Sequence, residues 1–268
     1  MELFLGFLVA AVVGATAWKA GALSRSGAAA AAVTGGLIFG LGSLAWAALL
    51  LVFFISSSLL SRMFGSRKAA LTEKFSKGSR RDWAQVTANG GLGALLALAW
   101  AIGDHPTWAW AAFAGAMAAV NADTWATELG VLNPAPPRLI TTFKPVERGA
   151  SGGVSPLGSL AAVGGAGLIA FIALVFTPGG MDSFQTALPI LVVITVAGAC
   201  GALFDSLLGA TVQAIYFCPT CNKETERHPL HTCGTPTVLR RGWRWLNNDV
   251  VNFFASLIGA LAAVGLLW

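Results

Sequence analysis

Five polar side chains close an apolar run in NADTWATELG, residues 121–130: Asn121, Asp123, Thr124, Thr127 and Glu128 follow directly on AWAAFAGAMAAV. If the helix continues through them at about 3.6 residues per turn, Asn121, Thr124 and Glu128 share one stripe. Asp123 and Thr127 form the adjoining i, i+4 pair, while Ala122, Trp125, Ala126 and Leu129 take the other face. A merely solvated helix end needs no such division. Carboxylate, amide and hydroxyl oxygens are hard donors of the kind Mg²⁺ takes, with substrate phosphates completing its shell.

Three further segments carry polarity of the same kind. The loop RLITTFKPVERGASGGVSPLGS, residues 138–159, offers Lys144 followed by Gly149, Gly152, Gly153 and Ser155. Glycines let backbone N–H groups approach phosphate oxygens, and a lysine can meet the charge. The Gly-Lys-Ser/Thr order of the Walker loop is absent. A later apolar run ends in Asp205, Gly209 and Gln213 at i, i+4, i+8, and the last begins with Asn248, Asp249 and Asn252. Asn247 or Asn248 alone would be an ordinary N-cap. Asn252 within the apolar run and Asp205 deep at a helix end are costlier, which favours a shared cleft. Phosphoryl or nucleotidyl transfer to a lipid acceptor is the chemistry such a cleft would perform, by positioning and charge neutralisation.

A softer set lies in CPTCNKETERHPLHTCG, residues 218–234. Cys218-x-x-Cys221 followed by His231 and Cys233 fits a four-coordinate structural zinc site, with His228 the alternative fourth ligand. Reduced, unligated cysteines and a redox pair are the competing readings.

These residues must be held by membrane-embedded elements. Of 268 residues, 56% are hydrophobic and 11% charged, against roughly 25% charged in soluble domains. That excludes a soluble globule and predicts an all-α, polytopic membrane bundle forming a single domain, 1–268. Apolar runs fall at about 3–18, 27–61, 85–102, 107–120, 156–177, 185–204 and 249–268. Ala15-Thr-Ala17 looks like a cleavage site, but Glu2 stands where a signal peptide has its positive charge, so 3–18 is read as a span. Residues 27–61 are too long for one crossing of a core of about 30 Å. Gly40-Leu-Gly42-Ser43 divides them into about 27–41 and 44–61, giving eight short spans. With the N-terminus outside, the segments 19–25, 62–81, 138–148 and 223–244, which hold all 17 Lys and Arg, fall on the cytoplasmic side. Trp18, Trp83, Trp100, Trp108 and Trp110 then lie near span ends as interfacial anchors. Residues 216–246 form a cytoplasmic Cys/His loop between the last two spans.

Taken together, NADTWATELG, Lys144…Gly149-x-x-Gly152-Gly153, Phe204-Asp205-Ser206 with Gly209, and Asn247-Asn248-Asp249-x-Val-Asn252 resemble the phytyl-phosphate kinase and transmembrane protein 19 family, in order and over essentially the whole chain. The resemblance implies relation to CTP-dependent polyprenol kinases, with Asp123…Gly130 and Lys144…Gly149 similar to their Asp-x(n)-Gly and Lys-x(n)-Gly elements. It implies conversion of an isoprenyl monophosphate, such as phytyl or geranylgeranyl phosphate, to its diphosphate by CTP or another nucleotide. On this reading Asp123, Glu128 and Asp205 hold Mg²⁺. Lys144, Gly149, Gly152, Gly153, Ser155, Asn121 and Thr124 meet the nucleotide. Asp249, Asn248 and Asn252 position the acceptor or a second metal, and Gln213 serves the acceptor side. Expected partners are the nucleotide, the isoprenoid phosphate and membrane lipids, with no nucleic acid. A CDP-lipid-forming nucleotidyltransferase, a transporter and a structural membrane protein are the alternatives.

Overall fold

The computed structural model describes residues 2–68, 78, 80–177 and 179–267. Of the basic segment 62–81, residues 69–77 and 79 lie outside the described residues. Eight α-helices stand among the described residues: α1 (Glu2–Lys19), α2 (Arg25–Leu37), α3 (Leu44–Lys68), α4 (Trp83–Ile102), α5 (Thr107–Gly130), α6 (Pro156–Phe176), α7 (Phe184–Thr211) and α8 (Asn248–Leu267). The long apolar run divides where its glycines suggest. α2 unwinds into a π turn at Ile38–Gly42, and Ser43 takes a positive φ of 124° before α3 starts.

Six helices are long and apolar enough to cross a membrane; α2 and α5 are the exceptions. α2 has only thirteen residues before the π turn. α5 is long, but its last two turns carry the polar set. Its place in the bundle resolves the difficulty, because α5 packs against α3, α4, α6, α7 and α8. Residues 109 and 111–122 of α5 are buried, and of its polar set Asn121 and Glu128 are buried as well. Small side chains make that position possible. Gly115 lies against Gly259 of α8, and a Cβ on Gly259 would come to 2.5 Å from the Gly115 carbonyl oxygen.

At the end of the bundle away from the polar set, Trp46 stacks on Phe113 with centroids 4.4 Å apart and tilts against Trp100 and Trp110 at 5.7 Å. Trp83 and Trp108 are exposed as anchors should be. Trp100 and Trp110 instead pack on the core, and Trp110 Nε1 donates to Thr177 Oγ1 at 3.1 Å.

Strands occur only outside the helices among the described residues. β1 (Arg138–Leu139) and β2 (Gly153–Val154) pair antiparallel in the α5–α6 loop. Between α7 and α8, β3 (Ile215–Cys218), β4 (Lys223–Thr225) and β5 (Val238–Arg241) form an antiparallel sheet in the order β4-β3-β5.

Candidate active site at the convergent helix ends

Up-and-down connectivity brings the C-terminal ends of α3, α5 and α7 together with the N-terminal ends of α4, α6 and α8. A cavity of about 480 Å³ opens between them. α5 contributes Asp123, Thr124, Thr127 and Glu128; α7 contributes Asp205; α8 contributes Asn248 and Asn252. The loop before α6 supplies Gly149, Gly152, Gly153 and Ser155.

The glycine loop has its shape for local reasons. Gly149 and Gly152 adopt positive φ, 77° and 81°, where a side chain would be strained. Gly152 also lies directly on α7, since a Cβ there would come to 2.5 Å from Ala210 Cα. Ser155 then caps α6, its Oγ accepting from Gly158 N at 3.1 Å, with Pro156 in the first turn. Ser155, Gly158 and Ser159 all line the cavity, so the positive end of the α6 dipole faces it.

The carboxylates divide into two groups. Glu128 Oε1 accepts from Ser61 Oγ at 2.7 Å, and its charge acts on Arg81 across the cavity. Asp205 instead feels the charges of Asp123 and Glu226. Asp205 Oδ2 is buried with no hydrogen-bond partner among the described residues. A buried oxygen left so is costly unless something else satisfies it. Asp205 beside Asp123 and Glu226 is therefore the part of the cavity whose donor set fits a hard cation.

Several residues placed in the site by sequence pattern have other duties. Asn121 is fully buried and spends its amide on neighbouring helices: Nδ2 donates to Gly165 O at 2.8 Å, and Oδ1 accepts from Ser56 Oγ at 3.0 Å. Trp125 Nε1 donates to the same Ser56 Oγ at 3.2 Å. Gln213 lies behind the cavity wall. Its Oε1 accepts from Ser151 Oγ and its Nε2 donates to Glu226 Oε1, both at 2.9 Å, so it ties the glycine loop to the segment after β4. Lys144 is exposed on the 138–146 hairpin and does not line the cavity, and neither does Asp249.

Among the described residues, the cations that line it are Arg81 and Arg148. Arg148 Nη2 donates to the carbonyls of Asn133 at 2.9 Å and Pro134 at 2.7 Å, which fixes the rim. Arg81 Nη1 donates to Ser58 Oγ at 3.2 Å, and its guanidinium lies 5.5 Å over the Phe53 ring. Burial lowers its pKa to about 10, partly opposed by Glu128, so it stays cationic near neutral pH. Sequence reasoning did not single out Arg81, because the seven basic residues in 62–81 read together as an orientation signal, with a phosphate-holding role the alternative. Glu226 was hidden inside the cysteine loop. Gln85 and Asn89, which also line the cavity, carried a usable signal as two amides one turn apart in an apolar run.

The soft cluster assembles beside this cavity. Sγ of Cys218, Cys221 and Cys233 and one ring nitrogen of His231 all lie within 4.8 Å of one another. Cys218 and Cys233 Sγ are 3.6 Å apart, close to the edge of a tetrahedron with Zn–S bonds of about 2.3 Å. His231 Nδ1 is 3.2 Å from Cys233 Sγ, whereas His228 stacks on Tyr216 at 4.3 Å and stands outside the cluster. Hydrogen bonding to Thr235, then to His231, brings the Cys233 thiol down to about 6. The neighbouring Cys233 pushes Cys221 up to about 11. Thiols this close oppose one another's ionisation, and a central cation removes that opposition. The group can hold a metal ion. The sheet carrying it is fastened to the bundle, with Arg241 Nη1 donating to Gly209 O at 2.9 Å at the end of α7.

Comparison with known proteins places this architecture among relatives of similar length. The chain is 33% identical to Protein PGR of Arabidopsis thaliana over 96% of this chain and 93% of that one. It is 30% identical to the uncharacterized membrane protein MJ0933 of Methanocaldococcus jannaschii over 98% and 94% of the two chains. A third relative, the uncharacterized membrane protein sll0875 of Synechocystis, is 29% identical over 84% and 78%. No solved structure matches. Residues 8–260 match the family described as integral membrane protein DUF92, and the chain belongs to that family, the one its motifs resemble.

Proposed function

We propose that the protein is a membrane-embedded kinase that moves the γ-phosphoryl group of CTP, or another nucleoside triphosphate, to an isoprenyl monophosphate, giving the diphosphate. The observation that carries this reading is one cavity in which several carboxylates, a positive-φ glycine loop and the α6 N-terminus face each other at the helix ends. Asp123, Asp205 and Glu226 would hold Mg²⁺, which when bound supplies neutralisation of phosphate charge. The backbone at Gly149, Gly152 and Gly153 and the first turn of α6 receive the nucleotide phosphates. Arg148 closes the rim, and Asn248 and Asn252 orient the acceptor.

An oxygen of the acceptor monophosphate attacks the γ-phosphorus. The O–Pγ bond forms as the bridging Pγ–O bond breaks, and the electron pair leaves with the nucleoside diphosphate. A phosphate monoester has its second pKa near ~6, so the attacking oxygen is already ionised and no strong general base is required. Catalysis is then positioning and charge stabilisation. The described basic residues of the loops flank this end of the bundle, which supports a cytoplasmic cavity by the positive-inside rule.

Purified protein with Mg²⁺ and CTP labelled at the γ-phosphate, offered farnesyl, geranylgeranyl and phytyl monophosphates, tests the reading. Label should appear in a lipid diphosphate and vanish in Asp205→Asn. Incorporation of CMP instead would make the protein a nucleotidyltransferase, and absence of both Mg-CTP binding and turnover would sink the enzyme reading.

A further inference from the structure

A second cavity, of about 100 Å³, lies between α1, α2, α3 and α4, and its walls are almost wholly apolar. Val9 and Val13 of α1, Ala31 and Gly35 of α2, and Leu50 and Phe54 of α3 form much of it. Among the described residues its one charged lining residue is Arg81. Thr34, which also borders it, turns its hydroxyl back to Ala30 O at 2.8 Å. A crevice with walls this apolar offers water almost no hydrogen-bond partners.

The two cavities share a boundary. Arg81, Gln85 and Asn89 line both. Arg81 is the hinge between them, with its guanidinium 5.5 and 5.7 Å over the rings of Phe53 and Phe54, which line the crevice. Its charge meanwhile faces Glu128 in the polar cavity. A polar compartment joined through one arginine to a narrow apolar one has the form of a single-chain amphiphile with an anionic head.

We infer that the α1–α4 crevice holds the hydrocarbon tail of the lipid monophosphate acceptor, with Arg81 binding its phosphate and Gln85 and Asn89 marking the boundary. The identity of the head group rests on the function proposed above; the occupation of the crevice by a single chain does not. The crevice is short, so it grips the units nearest the phosphate and leaves the remainder to the bilayer. Selectivity therefore falls on the shape of those first units, and total chain length matters little once they are present.

The test uses the full chain in nanodiscs and a geranylgeranyl monophosphate carrying a diazirine on an isoprene unit near the phosphate. Cross-links mapped by mass spectrometry should fall on α1–α4, and unlabelled geranylgeranyl monophosphate should compete at least tenfold better than geranylgeraniol. Labelling of α6 or α7 instead, or equal competition by the alcohol, would overturn the inference, the latter marking adventitious lipid. Gly90→Leu gives a second arm. A Cβ at Gly90 would find Thr34 at 3.8 Å, an ordinary contact, so the helix pair accepts it while the longer side chain enters the crevice. The KM for geranylgeranyl monophosphate should rise about tenfold or more, with that for CTP unchanged. If Gly90→Leu fails to insert, the cross-link map of the unmodified protein still decides. Cross-links on α1–α4 without phosphoryl transfer would keep the crevice and remove the kinase; transfer with cross-links elsewhere would do the reverse.

Discussion

Two ligand sets of opposite character lie side by side in this protein. The soft set of Cys218, Cys221, His231 and Cys233 comes from sixteen consecutive residues in one strand end and the connections of one small sheet. The hard set of Asp123, Asp205 and Glu226 comes from α5, α7 and the segment after β4, and no short stretch of chain contains even two of them. The soft set can form wherever its loop folds, since a bound metal can itself organise it. The hard set exists only if the whole bundle packs. Gln213 joins the two, because Glu226 follows directly on the strand whose turn carries Cys221 and is held by the Gln213 amide.

That comparison can be broken at several points. The largest effect is expected from Asp205→Asn, which should lower phosphoryl transfer by about 10²–10³-fold while the protein still inserts and elutes as the parent does. Retained turnover would remove Asp205 from the reaction. Next, Cys218→Ser should abolish stoichiometric zinc measured by elemental analysis and expose residues 216–246 to limited proteolysis. Transfer should drop about 10-fold or more as Glu226 loses its setting, with the helices still intact by circular dichroism. Zinc loss without any change in transfer would show that the two sets are energetically separate. Gln213→Leu cuts the connection directly, and should cost about tenfold in transfer with zinc content unchanged.

Smaller effects are expected where the polar side chains serve packing. Asn121→Leu leaves Ser56 and Gly165 without their partner and should destabilise the bundle by about 1–2 kcal/mol in a denaturation series. Its KM for nucleotide should stay at the parent value. A raised KM would return Asn121 to the nucleotide site. The smallest change belongs to Lys144→Ala, on an exposed hairpin, with transfer within about threefold of the parent. A loss as large as that of Asp205→Asn would mean that the hairpin folds over the cavity during turnover.

Much of the architecture was open to reading from the chain. Eight helices follow from apolar run length against bilayer thickness, and Gly40 to Ser43 announced where the longest run breaks. Of the polar motifs, Asp123, Thr124, Glu128, the glycine loop, Asp205, Asn248 and Asn252 do border one cavity. Lys144 and Asn121 show the limit. A lysine near a glycine loop and an asparagine in line with a carboxylate have the right chemistry for a phosphate site. Which way each side chain turns depends on neighbours that are distant in sequence.

The sequence by itself determined a membrane bundle, the number of its helices and the ligand types it could offer, because burial in lipid and metal softness act on residue type and local spacing. Only the tertiary structure decided that α5 lies at the centre and that Arg81 and Arg148, rather than Lys144, face the cavity. It alone decided that Glu226 joins the carboxylates and His231 the thiols. Those outcomes depend on helix packing and loop docking between separate elements, where one turn of a helix or one hydrogen bond such as that from Gln213 to Glu226 selects the side chain that faces inward.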